Sequence, residues 1–194
     1  MGSLEPDAEV VAESLARPAH FAVLYERHLP RVAAYLARRV GAGLAEDLAA
    51  EVFVRAFRGR SAFRPEHDTA LPWLLGIAAN LVADHRRAEK RRLAALQRLA
   101  GSSRAVADQD VAVLAPDVVR ELRRLPAAER DTLLLVVWGE LSYEEAASAL
   151  GTPVGTVRSR IARARRRLAS AIGDPTVEPE PGTAPAIANG EANG

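Results

Sequence analysis

The chain has 194 residues, 48% of them hydrophobic, and 26 Lys and Arg against 25 Asp and Glu, a composition that can fill one or two buried cores and excludes disorder throughout. It has no Cys, which excludes a disulfide frame, a thiolate zinc site or a thiol switch, and its four His stand at no metal-ligand spacing, so neither a metal nor a cofactor is expected. The start MGSLEPDAEVV lacks the basic end and apolar run of a signal peptide, and no apolar run approaches the roughly 18 residues of a membrane span, so a cytoplasmic protein without membrane insertion is expected.

Apolar residues recur at helical spacing almost everywhere and no long run alternates with a period of two, which predicts an all-α fold. Residues 1–17 read as an N-terminal extension. Phe21, Leu24, Tyr25, Leu29, Val32, Leu36 and Val40 then mark a first long helix, expected to end at Gly41 and Gly43. A second helix follows the stripe Leu44, Leu48, Val52 and Ala56, with Phe53 beside it, and stops near Gly59. After the polar loop RGRSAFRPEHDT, the residues Leu71, Leu74, Leu75, Ala78, Leu81 and Val82 mark a third helix with a basic far end, ADHRRAEKRR. These elements make a first domain over residues 18–100.

From Gly101 to Ala115 the periodicity is lost and the text reads as a flexible linker. A second small helical domain is expected over 116–173, built on Leu122, Leu125, Leu133, Leu134 and Val137. Ser142 and Glu145 have the spacing of a capping box, Gly151 is placed to end that helix, and Thr152 and Pro153 are placed to cap and open the next. Residues 174–194, rich in Pro, Gly, Ala and acid, read as a disordered acidic tail.

The last helix carries Arg158, Arg160, Arg163, Arg165, Arg166 and Arg167 with no acid among them. Such a run repels itself unless a polyanion lies beside it. Two short helices joined by a tight turn, the second starting at an electropositive end and running into a basic stripe, form a helix-turn-helix suited to a major groove. The alternative is a solvated basic helix.

The segment LPAAERDTLLLVVWGELSYEEAASALGTPVGTVRSRIARARRRL resembles region 4 of the extracytoplasmic-function sigma factors, and AEDLAAEVFVRAFR followed by ALPWLLGIAANLVADHRR resembles their region 2. The resemblance implies core RNA polymerase and promoter DNA, as duplex and as melted non-template strand, as partners. It admits an anti-sigma protein as well, and no small-molecule substrate is expected.

On the last helix Thr156 suits a phosphate contact, and Arg158, Ser159 and Arg163 fall on the face away from Val154, Val157 and Ile161. With Ala162 and Arg166 they are the candidates for the minus-thirty-five element that the resemblance implies, Arg158 and Arg163 turned toward bases. The resemblance assigns the minus-ten element to Arg58, Arg60, Ser61 and Phe63 of the loop, which would capture a flipped base, and to Asn80, Asp84, Arg86 and Arg87 of the third helix. Asp47, Glu51 and Phe53 are assigned to the polymerase clamp. From the residues alone, Asp47 and Glu51 also fit a solvated acidic face, Phe53 and Phe63 fit core positions, and Trp73 fits the core better than a base stack.

Two rival functions remain at this level. An autonomous helix-turn-helix regulator would leave the region 2 text unexplained. A nucleic-acid enzyme lacks paired carboxylates at metal spacing, a nucleophile with its base, or a phosphate loop.

Overall fold

A computed structural model describes residues 5–100 and 116–172, and all their regular structure is helical. The helices are α1 (Asp7–Ala16), α2 (Ala22–Val40), α3 (Ala42–Gly59), α4 (Leu71–Ala100), α5 (Pro116–Arg124), α6 (Ala127–Val137), α7 (Tyr143–Leu150) and α8 (Val154–Ile172). Single 3-10 turns lie at Pro18–Phe21 and Arg60–Ala62. The expected tether, 101–115, and tail, 174–194, lie outside the described residues.

The first half packs α2, α3 and α4 against one another through the stripes their sequences mark: Leu24, Val32 and Leu36, then Val52 and Ala56, then Leu74, Ala78 and Val82, all fully buried. Truncating one of these leucines to Ala would cost about 2–5 kcal/mol, because the close-packed surroundings do not fully collapse. Gly41 ends α2 with φ of 81°, a conformation that favours glycine, and its N–H reaches the Ala37 carbonyl at 3.0 Å. Gly43, expected to share that role, lies instead within α3, since one left-handed residue suffices to turn the chain.

The N-terminal segment is more than an extension. It forms α1, whose Val10, Val11, Ser14 and Asp7 are buried against the first domain. Its apolar residues are too few to stand out by periodicity, and tertiary contacts stabilise it.

In the second half, α6, α7 and α8 enclose Leu134, Leu135, Ala146, Ala147, Val157, Ile161 and Ala164. The capping box forms as expected: the Glu145 N–H donates to Ser142 Oγ at 3.1 Å, and the Ser142 N–H donates to Glu145 Oε2 at 2.8 Å. Gly151 is left-handed at φ 59°, and the Thr152 N–H returns to the Ala147 carbonyl at 3.0 Å, closing α7 with a Schellman turn. Thr152 does not cap α8. Its Oγ1 has no hydrogen-bond partner, and the Pro153 carbonyl receives the N–H groups of Thr156 and Val157, so the helix starts one residue later than its sequence suggests.

The two halves are docked. Leu75 and Gly76 of α4 press on α6 and α7, and a Cβ at Gly76 would collide with the backbone carbonyl of Ala149. A Cβ at Gly139 would meet Leu75 Cδ1 at 2.9 Å. Backbone approaches backbone because glycine leaves no side chain between them.

Candidate nucleic-acid interface

The turn between α7 and α8 projects the start of α8 outward. Val157, Ile161 and Ala164 face the core, leaving Arg158, Ser159, Ala162, Arg165 and Arg166 on the solvent side, with Thr156 half-buried at the helix start. Arg158 reaches Glu144 of α7 at 3.6 Å, an exposed pair that a phosphate or base can displace at small cost. Ser159 Oγ donates to the Thr156 carbonyl at 3.0 Å.

Arg163, one of the residues expected to face the groove, is exposed but paired within the protein. Its Nε donates to Glu129 Oε1 at 2.9 Å, while Arg167 Nε lies 3.3 Å from Glu129 Oε2. The Glu129 side chain is only 8% exposed. The Arg163 side chain is nonetheless 44% exposed, so in the free protein this arginine ties α8 to α6 while staying within reach of solvent. Part of the acid-free arginine run is therefore neutralised from another helix, a pairing that residues distant in sequence conceal.

The loop between α3 and α4 is organised around two aromatic contacts. Phe63 packs on Trp73 with ring centroids 4.9 Å apart, both rings half-buried. The Arg60 guanidinium lies over the Phe57 ring at 3.8 Å, and its Nη1 donates to the Phe57 carbonyl at 2.5 Å. Arg58, Ser61 and Arg64 are exposed around this pair, and Arg64 donates to the Phe63 carbonyl at 3.2 Å.

Along α4, Asn80, Asp84 and Arg87 are exposed on one stripe, and Asp84 pairs with Arg87 and, at 3.7 Å, with Arg55 of α3. Arg86 does not share that stripe. It is 9% exposed and directed at Asp131 of α6, 3.8 Å away, so docking sequesters a residue assigned to the minus-ten element.

The acidic face of α3 presents Glu46 and Asp47 to solvent, and Glu51 forms a 2.8 Å pair with Arg55. Phe53 is not part of this face: it is buried edge-to-face against Tyr25, centroids 4.9 Å apart, and belongs to the core. The resemblance grouped it with Asp47 and Glu51, but the core position that its residue type alone suggests is the one it occupies.

Elsewhere, Glu5, Glu13 and His20 come together, but Glu5 is hydrogen-bonded to His20 and Glu13 pairs with Arg17, so internal pairing accounts for the group. No helix among the described residues is long and apolar enough to cross a membrane.

A first helical unit bearing an aromatic loop and a polar helix, joined in one chain to a helix-turn-helix with a basic outer face, is the architecture of a sigma-70-type transcription factor. Family models agree: Sigma-70 region 2 matches residues 24–92 and Sigma-70, region 4 matches 117–168. The ECF RNA polymerase sigma factor SigC of Mycobacterium tuberculosis (strain CDC 1551 / Oshkosh) is 36% identical over 144 residues, covering 71% of this chain and 74% of the relative. The ECF RNA polymerase sigma-E factor of Escherichia coli (strain K12) is 32% identical over 161 residues, covering 76% and 84%. Among solved structures, the sigma factor RpoE in complex with the anti-sigma factor NepR from Bartonella quintana aligns with a TM-score of 0.59 and 27% identity over 80% of this chain and 98% of that one. CnrH, solved with the cytosolic domain of CnrY, shares the fold at a TM-score of 0.60 and 24% identity, over 87% of this chain and 98% of that one. The chain belongs to the ECF RNA polymerase sigma factors. It is an alternative sigma factor of transcription initiation, and it is not an enzyme.

Proposed function

We propose that the protein acts in the cytoplasm, binds core RNA polymerase through the acidic face of α3 around Asp47 and Glu51, and directs it to promoters with two elements. The outer face of α8 reads the minus-thirty-five element in the major groove, with Arg158 turned toward bases and Arg165 and Arg166 toward phosphates. Thr156, Ser159 and Ala162 line the approach. The loop carrying Arg58, Ser61, Phe63 and Arg64, with Asn80, Asp84 and Arg87 on α4, engages the melted minus-ten strand, where stacking and cation contacts replace base stacking in the duplex. The observation that carries this reading is the acid-free outer face of α8 directly behind a glycine-closed turn, in the same chain as a region 2 unit.

Arg86 joins the minus-ten surface only when α4 and α6 separate, because Asp131 holds it in the docked arrangement. An anti-sigma protein is a further partner on this reading, supported by the RpoE relative having been solved with one. On this reading the first domain takes in α1 as well as residues 18–100, the second spans 116–173, and holding both on one polymerase lets each weak DNA contact raise the local concentration of the other.

Adding the purified protein to core polymerase and mapping transcript starts genome-wide tests the proposal. Starts sharing two spaced upstream elements are the expected result. Tight, sequence-specific duplex binding by the protein alone would point instead to an autonomous regulator.

A further inference from the structure

Helix α1 precedes the segment matched by the region 2 family model, which begins at residue 24. It nevertheless carries a charged side chain buried at the centre of four hydrogen bonds. Asp7, 3% exposed, accepts at Oδ2 from His28 Nε2 at 2.6 Å, from the Ala70 N–H at 2.7 Å and from the Thr69 hydroxyl at 3.1 Å; its Oδ1 accepts from Arg27 Nη1. Thr69 Oγ1 in turn accepts from the Leu71 N–H at 3.2 Å. At the start of α4, where the helix dipole also favours a carboxylate, the Ala70 N–H is thus bonded from another helix and the Leu71 N–H by Thr69, which Asp7 itself holds.

The far end of α1 holds the opposite end of the same loop. The Ser14 carbonyl accepts from Arg60 Nε at 3.4 Å, the arginine that also lies over Phe57. Between Arg60 and Thr69 the loop carries the exposed Ser61 and Arg64, and Phe63 on Trp73. Asp7 and Ser14 are separated by seven residues of helix, roughly 10 Å at 1.5 Å per residue. One rigid helix therefore spans the entry and the exit of the loop.

We propose that α1 is a strut fixing the two ends of the minus-ten loop, with Asp7 and Thr69 as positioning residues for base capture. The proposal rests on the reading of this loop as the minus-ten element. A loop held at both ends presents its pocket ready-made, so capture of the flipped base does not also have to order the backbone. Releasing the exit end frees Ser61, Phe63 and Arg64 to move together, which weakens capture without touching polymerase or the minus-thirty-five contacts.

The test uses full-length protein assembled with core polymerase. Open-complex formation is measured on duplex promoters and on matched templates with the minus-ten region already melted, across single-base minus-ten variants. Asp7→Asn and Thr69→Val are compared with the parent, with Thr69→Ser as the conservative rescue and thermal melts as the folding control. The strut predicts that discrimination among minus-ten bases falls by about tenfold, the scale of one stacked base. It also predicts that Thr69→Ser restores discrimination and that affinity for core polymerase is unchanged. If Asp7→Asn does not fold, Thr69→Val decides alone. A folded Thr69→Val protein with undiminished discrimination overturns the strut. Ser61→Ala and Arg64→Ala separate the two layers: if they alter minus-ten selectivity while Thr69→Val does not, only the strut fails. If the loop variants also leave selectivity intact, the minus-ten reading of the loop falls and the strut with it.

Discussion

Asp131 of α6 lies 2.6 Å from Arg39 of α2, so a fully buried guanidinium in the first half of the protein finds its carboxylate in the second. The same arginine donates to the Tyr35 hydroxyl at 2.8 Å, and Arg86 approaches Asp131 from α4. One carboxylate thus serves two arginines across the interface between the DNA-binding units, and Arg31 adds contacts to the Gly139 carbonyl and Glu140 at its edge.

Replacing Asp131 with Ala should therefore loosen the docking more than it unfolds either unit. A buried charge left without its partner is costly, and separation returns Arg39 and Arg86 to water; with Asp131 at 18% exposure the loss is about 1–3 kcal/mol. Small-angle scattering of the free protein should show a larger radius of gyration for Asp131→Ala, with helix content retained. An unchanged radius would mean that apolar packing alone holds the halves together.

Gly76→Ala isolates that packing. Within a helix, Ala is favoured over Gly by about 0.8–1 kcal/mol, so α4 itself should be strengthened. Its Cβ has no room beside the Ala149 carbonyl, however, and the docked arrangement has to yield. The expected result is an opened protein whose first unit melts no lower than the parent's, read by scattering and by thermal unfolding. A closed protein with raised stability would show that α4 and α7 can shift apart at little cost.

The arginines of α8 should divide into three behaviours. Arg158→Ala is expected to relax preference at particular minus-thirty-five bases, at about 1–3 kcal/mol, while Arg166→Ala weakens all sequences alike and lowers the salt slope by roughly 1. Arg163→Ala should instead lower thermal stability, by about 1–3 kcal/mol, because Glu129 is left buried with Arg167 alone. Holoenzyme binding to promoter variants at several salt concentrations, alongside melting curves, separates the three. A base-specific loss without destabilisation for Arg163→Ala would restore it to the groove.

The Asp7 carboxylate gives the protein an acid-sensitive joint. Burial alone would push its pKa up, but the hydrogen bonds from His28 and the Ala70 N–H, the His28 charge and the Arg27 contact outweigh it and hold the group well below the usual carboxylate range. A depressed folded pKa contributes stability that is fully present above the unfolded value of about 3.9 and is lost as pH falls from there toward the folded value. Below about pH 4, the parent should lose melting temperature more steeply than Asp7→Asn, which lacks the titrating group. Parallel pH dependences for the two proteins would show that Asp7 adds nothing to acid sensitivity.

Much of the fold was legible because helices formed by local stripes announce themselves. The spacing of Leu24, Val32 and Leu36, the Ser142–Glu145 box and the left-handed Gly151 all depend on neighbours within a few residues, and the structure contains each as the sequence predicts. The paired family segments, in order, carried the functional class for the same reason. Helix α1 was missed because its Val10, Val11 and Ser14 make a stripe too short to read, and its stability comes from Asp7 meeting residues 21 and 63 positions away.

What the sequence by itself determined was the long helices with their own apolar stripes, the glycine that closes α7, and that a basic recognition helix sits behind a tight turn. Tertiary structure alone decided which charges remain available. Arg163 and Arg158 look equivalent in the chain, yet one is held by Glu129 from 34 residues away and the other meets only an exposed glutamate; Arg86 and Arg87 are adjacent, yet one is sequestered toward Asp131 and the other stays on the surface. Periodicity fixes the direction in which a side chain leaves its helix, but whether a partner waits there depends on how separate helices pack, and the low dielectric of that packed interior makes such a pairing decisive.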